Sequence, residues 1–223
     1  MRDSIHQRYE EWELGALLAK YPDLRVHASG GNDLVLAGSV AFRVAAPNGV
    51  IIEDAYSVEL SIPPGFPSTN PRAYECDARI PYDYHKLEGN YLCLGAPTAL
   101  RMTLTLSPTL LTFLEVLVIP YLAGYSYFAL HGETLYGELD HGSAGIRQYL
   151  GELFHSKTTE WCEEFVRLAS LKKRNANKLP CPCLSGRRLG KCHNRIVNAL
   201  RKRLGRKWFQ QEYRQILRLL PAA

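Results

Sequence analysis

Apolar residues recur every third or fourth position at the start of this chain and every second position soon afterwards. Ile5, Tyr9, Trp12 and Ala16 share one helical face, and Ser4 and Gln7 have the spacing of a capping box, which predicts a helix over residues 4–20. After a Gly-rich connection at 28–32, Leu34, Leu36, Val40, Phe42 and Val44 alternate as in a half-buried strand, with Gly38 marking a bulge. Pro47-Asn48-Gly49 reads as a hairpin turn, because Asn-Gly accepts the positive φ angles such turns need. The return strand alternates through Tyr56, Val58, Leu60 and Ile62, and a third strand is expected at 74–78, beyond a proline-rich loop.

The second half reads as helical. Ser107-Pro108 has the form of a helix start, with Ser as cap and Pro in the first turn. Residues 109–130 then run 22 positions with one formal charge, Glu115, which approaches bilayer-spanning length. The central glutamate, Pro120 and the polar residues at 121–127 favour a buried core helix instead, kinked near Pro120. A polar loop at 132–145 precedes a helix over 146–171, broken near 155–159. Residues 172–178 read as a hinge. Ile196, Leu200, Leu204, Trp208 and Ile216 form the apolar face of a last basic helix, with Gly205 as its weak point.

The 223 residues, 46% hydrophobic and 22% charged, suit a soluble globular domain with a small appendage, divided here into 1–171 and 172–223. Charge sharpens that division. Residues 1–171 hold 12 basic and 21 acidic side chains, whereas 172–223 hold 15 basic and 1 acidic. Such a tail either attracts an anionic partner or merely solubilises the chain and docks on its acidic body. The charged N-terminus has no apolar signal core, which implies a cytoplasmic, reducing setting. There the six cysteines read as metal ligands or catalytic thiols rather than disulfides. Cys76 and Cys162 stand in no such context and are expected in the core.

Cys93 lies in His85-Lys-Leu-Glu-Gly-Asn-Tyr-Leu-Cys-Leu-Gly95, on a loop beyond the strands, where a thiolate can be reached by a partner. The bland reading is a small buried hydrophobe. The order of helix, antiparallel meander, Pro63-Pro-Gly-Phe-Pro67…Asn70-Pro71, a His85-to-Cys93 flap and a long helix resembles the ubiquitin-conjugating enzyme superfamily. It looks closest to the bacterial branch, through Ile80-Pro81, His85, Gly89, Leu92-Cys93-Leu94-Gly95 and Pro97. The resemblance implies an α+β fold of that type, in which Cys93 carries a protein C-terminus as a thioester and passes it to an amine. The donor would be a ubiquitin-like protein or, as in antiviral operons of cyclic-oligonucleotide signalling, a nucleotidyltransferase.

The His-Pro-Asn tripeptide of the eukaryotic members is absent, so Asn90 is the nominated oxyanion donor. His85 either shapes the flap, as its counterpart does in the family, or takes part in the chemistry. Asp140 and His141, in the loop after the long helix, are candidates for accepting the amine's proton. No phosphate-cradling glycine loop is present, so activation is expected from a separate enzyme.

Cys181-Pro-Cys183-Leu-Ser-Gly-Arg-Arg-Leu-Gly-Lys-Cys192-His193 resembles the SEC-C metal-binding motif. Three thiolates and an imidazole make a closed tetrahedral set, which implies a structural zinc with no open position for substrate. The alternative to a conjugating enzyme is an inactive binding module of the same fold with a zinc knuckle. In neither reading is a membrane a partner.

Overall fold

The alternating segment at 34–45 pairs antiparallel with 51–62 along its whole length. This computed structural model describes residues 2–28, 31–135, 143–155 and 158–218. The protein is α+β. Strands β1 (Arg25–His27), β2 (Leu34–Ala45), β3 (Ile51–Ile62) and β4 (Arg72–Glu75) form one antiparallel sheet in the order β1-β2-β3-β4. Leu36, Val40, Tyr56, Val58, Leu60 and Ile62 turn to the core, as their alternation requires. The hairpin closes with Gly49 at φ 85°. No bulge interrupts the ladder at Gly38, which pairs directly with Val58. That position is glycine because a Cβ there would lie 2.1 Å from the Asp23 carbonyl oxygen.

The contacts divide the chain into two compact units, Met1–Gly95 with Thr103–Glu138, and Ala96–Met102 with Leu139–Ala223. In the first, the expected single N-terminal helix is two, α1 (Arg2–Glu11) and α2 (Leu14–Lys20). Because α1 begins at Arg2, Ser4 lies inside it and not at its cap. The break falls at Trp12 and Glu13, with Glu13 left-handed at φ 55°. Trp12 is thereby free to pack edge-on against Phe66 at 5.4 Å, while its carbonyl accepts from Leu110 N at 3.0 Å.

Helix α3 (Pro97–Leu106), unforeseen in the sequence pattern, precedes the long helix. The latter runs as α4 (Leu110–Thr112), a π-helical segment (Phe113–Val118) and α5 (Ile119–His131). Its cap is Thr109, whose hydroxyl accepts from Thr112 N at 3.1 Å, and not Ser107. The expected distortion at Pro120 takes the form of the π segment just before it, since a proline ring clashes with the carbonyl four residues back. Phe113, Leu114, Val118, Leu122 and Ala123 are buried against the sheet. Glu115 accepts from the Tyr21 hydroxyl at 2.9 Å and pairs with Lys20 at 2.5 Å. Among the described residues this is the one helix long and apolar enough to cross a membrane, and half of its apolar window is buried in the protein.

The second unit holds α6 (Ser143–Phe154), α7 (Thr159–Ser170), α8 (Lys173–Ala176), α9 (Asn194–Leu204) and α10 (Arg206–Arg218). The expected breaks at 155–159 and at Gly205 are present. The expected hinge at 172–178 is not: it holds α8, and Ala176 is fully buried. Leu150, Phe154, Phe165 and Leu168 share one core with Ala176, Leu189, Val197 and Phe209. A division at 171/172 would pass through this core. For that reason the boundary lies earlier than the composition shift placed it.

One polar network ties β3 to α5. Ser126 Oγ lies 2.8 Å from the buried Tyr56 hydroxyl and donates to Asp54 Oδ2 at 2.7 Å, while Arg79 pairs with the same carboxylate at 2.8 Å. Burial alone would raise the Asp54 carboxyl, but the bonds from Arg79 and Ser126 outweigh it and hold the group below its ordinary range. The ionised form therefore stabilises the fold above the unfolded pKa of about 3.9, and that contribution disappears as pH falls through the lower folded value. Ser126→Ala is expected to cost about 1–3 kcal/mol in urea unfolding at neutral pH, and Asp54→Asn to flatten the loss of stability below about pH 4.

Candidate functional site

Cys93 sits at the base of a short hairpin. Lys86 and Leu92 pair antiparallel, Leu87 N donates to Tyr91 O at 2.8 Å, and Cys93 N donates to His85 O at 2.8 Å. One side of the hairpin is fastened to the sheet, where Leu92 N donates to Ala73 O of β4 at 2.9 Å. The other is fastened to α5, where the Tyr121 hydroxyl donates to Tyr84 O at 2.7 Å and lies 3.2 Å from His85 O. One turn along, the Tyr125 hydroxyl donates to Arg79 O at 2.7 Å. The Tyr84 ring packs among Tyr121, Tyr125 and Phe128. Cys93 is half-buried and unpaired by any disulfide.

Burial first, then the neighbouring Tyr84 and Cys93, hold the Tyr121 phenol well above its ordinary range, so it stays a hydrogen-bond donor. The sequence reading missed Tyr121. The signal available was the i, i+4 pair of Tyr121 and Tyr125 on a helix otherwise built for the core.

His85 contributes its carbonyl to the hairpin, and its ring meets Tyr84 edge-on at 5.0 Å, which is a flap-shaping arrangement. Asn90 occupies the tip. Its left-handed φ of 65° follows Gly89 at 81°, and its N–H donates to Leu87 O at 3.0 Å. Asn tolerates that conformation, so the turn explains it. Three residues of chain, spanning at most about 3.3 Å each, separate Asn90 from Cys93. Asp140 and His141 lie outside the described residues.

Cys76, expected in the core, is exposed, because the alternation of β4 turns Ala73 and Glu75 inward instead. The buried Glu75 carboxylate is satisfied by Asp77 N at 2.8 Å and Ile80 N at 3.2 Å. Cys162 is 1% exposed, in the core as expected.

In the second unit, Cys181, Cys183, Cys192 and His193 converge, with their ligand atoms all within 4.8 Å of one another. A tight hairpin does this: Pro180 pairs with Arg188, Cys181 N donates to Arg187 O at 2.9 Å, and Leu184 and Gly186 turn the chain with positive φ. Cys192 ends a 3₁₀ turn (Leu189–Lys191), and His193 caps α9. The sulfurs of Cys181 and Cys183 are 3.4 Å apart, those of Cys183 and Cys192 3.5 Å, and His193 Nδ1 lies 3.2 Å from two of them. A tetrahedron with metal–sulfur bonds of about 2.3 Å has edges of about 3.8 Å, so the donors need only small shifts to hold a metal ion. Burial pushes the Cys181 thiol up to about 12, whereas at Cys183 the bonds from Ser185 and the neighbouring thiols outweigh burial and bring it to about 6.

Comparison with protein-family models, with curated proteins and with solved structures finds no match to this chain.

Tyr121→Phe removes one donor from two flap carbonyls. Amide exchange over residues 84–93 is expected to speed at least several-fold, read by mass spectrometry, with α9 unaffected. Cys192→Ser is expected to lower bound metal from about one equivalent to well below half, read by elemental analysis, with a fall in the melting temperature.

Proposed function

We propose that the chain is a cysteine-dependent conjugating enzyme that carries a protein C-terminus as a thioester on Cys93 and transfers it to an amine. The supporting observation is the half-exposed Cys93 at the base of a hairpin fastened on one side to β4 and on the other to α5. A nucleophile held on fixed backbone meets its substrate without first being ordered. The antiparallel meander, the helices preceding it and the long helix following the flap agree with the ubiquitin-conjugating type of fold that the motifs resemble.

In the first step Cys93 Sγ, as thiolate, attacks the carbonyl carbon of an activated donor. The new C–S bond forms as the donor's own thiolate leaves. In the second step an amine attacks that carbonyl, a C–N bond forms, and the Cys93 thiolate departs. The amine's proton passes to a basic group, for which Asp140 and His141 remain the nominated acceptors. The donor's class is a ubiquitin-like protein or a nucleotidyltransferase C-terminus, and the setting is bacterial antiviral defence in the cytoplasm.

The Cys181, Cys183, Cys192 and His193 set is assigned to a structural zinc. Three thiolates and one imidazole are soft to borderline donors in the number zinc takes, and a filled tetrahedron leaves no position for chemistry. Its role is to hold the second unit together.

Incubation with an activating enzyme and a candidate donor tests the reading. A reductant-sensitive adduct is expected on the natural protein, none on Cys93→Ala, and a reductant-resistant, base-labile ester on Cys93→Ser. A folded natural protein that binds the donor but never forms an adduct would identify the inactive binding module instead.

A further inference from the structure

Of the residues from 172 onward, one is acidic, and that residue is out of reach. Glu212 is 2% exposed, and burial raises its carboxyl above the ordinary range although Thr98 donates to it at 3.3 Å. One cation is likewise withdrawn. Arg201 turns inward, donating to Ala169 O at 3.0 Å and Leu168 O at 2.8 Å, where it satisfies the last carbonyls of α7. The others whose side chains are described stay outside. Arg195, Lys202 and Arg203 on α9 and Arg206, Lys207 and Arg214 on α10 are all exposed, as are Arg187 and Arg188 in the knuckle. Among the described residues none of these forms a salt bridge with an acidic side chain.

Among the described residues the carboxylates that α6 and α7 bring to the same unit, the exposed Glu152 and Glu160 included, form no salt bridge with those named. The segment from 172 onward therefore presents exposed cations with no exposed acidic residue of its own. We propose that it binds the phosphate backbone of duplex nucleic acid without reading sequence.

Three observations choose this partner over others. A bilayer surface would be gripped by apolar side chains beside the cations, yet Val197, Leu200, Leu204 and Phe209 are spent on the core. Leu184 is the one large apolar residue of this unit that is well exposed among those described. A single strand would be held by stacking its bases on aromatic rings. Phe209 is fully buried, and the Trp208 ring is half-buried with the Arg101 guanidinium over it at 5.2 Å. What remains is charge alone, rich in arginine, whose planar fork suits phosphate. Charge alone suits a regular double helix of phosphates.

The test uses the full-length, metal-loaded Cys93→Ala protein, so that no thioester adduct contributes. Fluorescence anisotropy with labelled 20-base-pair DNA and RNA duplexes of two unrelated sequences is read between 50 and 200 mM salt. A dissociation constant of about 1–100 μM near 150 mM salt is expected, alike for both sequences. The slope of log affinity against log salt is expected at about −3 to −6, because each neutralised phosphate contributes about −0.9. The triple variant Lys202→Glu, Arg203→Glu, Arg206→Glu should bind at least tenfold more weakly, and the matching Gln variant should fall between it and the parent. Circular dichroism confirms that both keep their helices. Absent binding at 50 mM salt, a slope shallower than about −1, or equal affinity for polyglutamate, single strands or phosphatidylserine vesicles would overturn the proposal. Conjugation by Cys93 can fail its own test without affecting this one.

Discussion

Two tyrosine hydroxyls on adjacent turns of α5 hold the backbone that presents Cys93. Residues 76–95 contain no strand of the sheet and no helix, so their carbonyls need partners from elsewhere. Tyr121 supplies Tyr84 and His85, and Tyr125 supplies Arg79. The rings packed edge-on and tilted around Tyr84 leave the Tyr121 bonds part-buried and the Tyr125 bond exposed, so the Tyr121 pair carries the larger cost if a partner is removed. The position of α5 depends in turn on Ser126, which joins it to Asp54 and Tyr56 of β3. Sheet, helix and flap are thus fastened in series, and Cys93 inherits its position from all three.

The same chain of contacts gives each half of the long helix its purpose. Its first half meets the N-terminal helices, where Glu115 is met by Tyr21 and Lys20. Its second half carries the tyrosines that reach the flap. The π segment carries Glu115 itself and ends just before Tyr121 and Tyr125, so their register is set just past the distortion that Pro120 imposes.

Long-period features were legible in the residues. Twelve-residue strands with one face buried leave an alternation too regular to miss, and the four side chains that could hold a metal ion are close in sequence as well as in space. What escaped was short or depended on phase. Strand β1 is three residues, all exposed, and shows no pattern to detect. The third strand, expected at 74–78, is β4 at 72–75, too short for its ends to show in the pattern. The expectation of a core Cys76 rests on the lack of a motif around it and not on strand phase, which turns Glu75 inward. Nearness in sequence brings Asn90 forward as an oxyanion donor, whereas its left-handed place in the turn is a feature of the fold that residue type alone also explains. Composition changes at 171/172, whereas packing follows the apolar faces of α6 and α7, which carry ordinary surface charge.

A metal ion held by Cys181, Cys183, Cys192 and His193 would account for part of the second unit's charge. Three thiolates and a neutral imidazole around a divalent ion carry a net charge of −1, which nearby cations stabilise. Arg187 serves this directly, its Nη2 lying 3.5 Å from Cys192 Sγ. One excess negative charge explains one or two neighbours and not the basic residues along α9 and α10, since screening limits its reach to about 8 Å at physiological salt. Those cations repel one another and destabilise the folded unit, which a metal ion held by the four donors of the folded chain would offset. An anion that binds the folded unit and spans these cations would relieve the remaining repulsion and add stability by mass action. The proposed phosphate backbone would answer the positive charge that a metal set alone would not require.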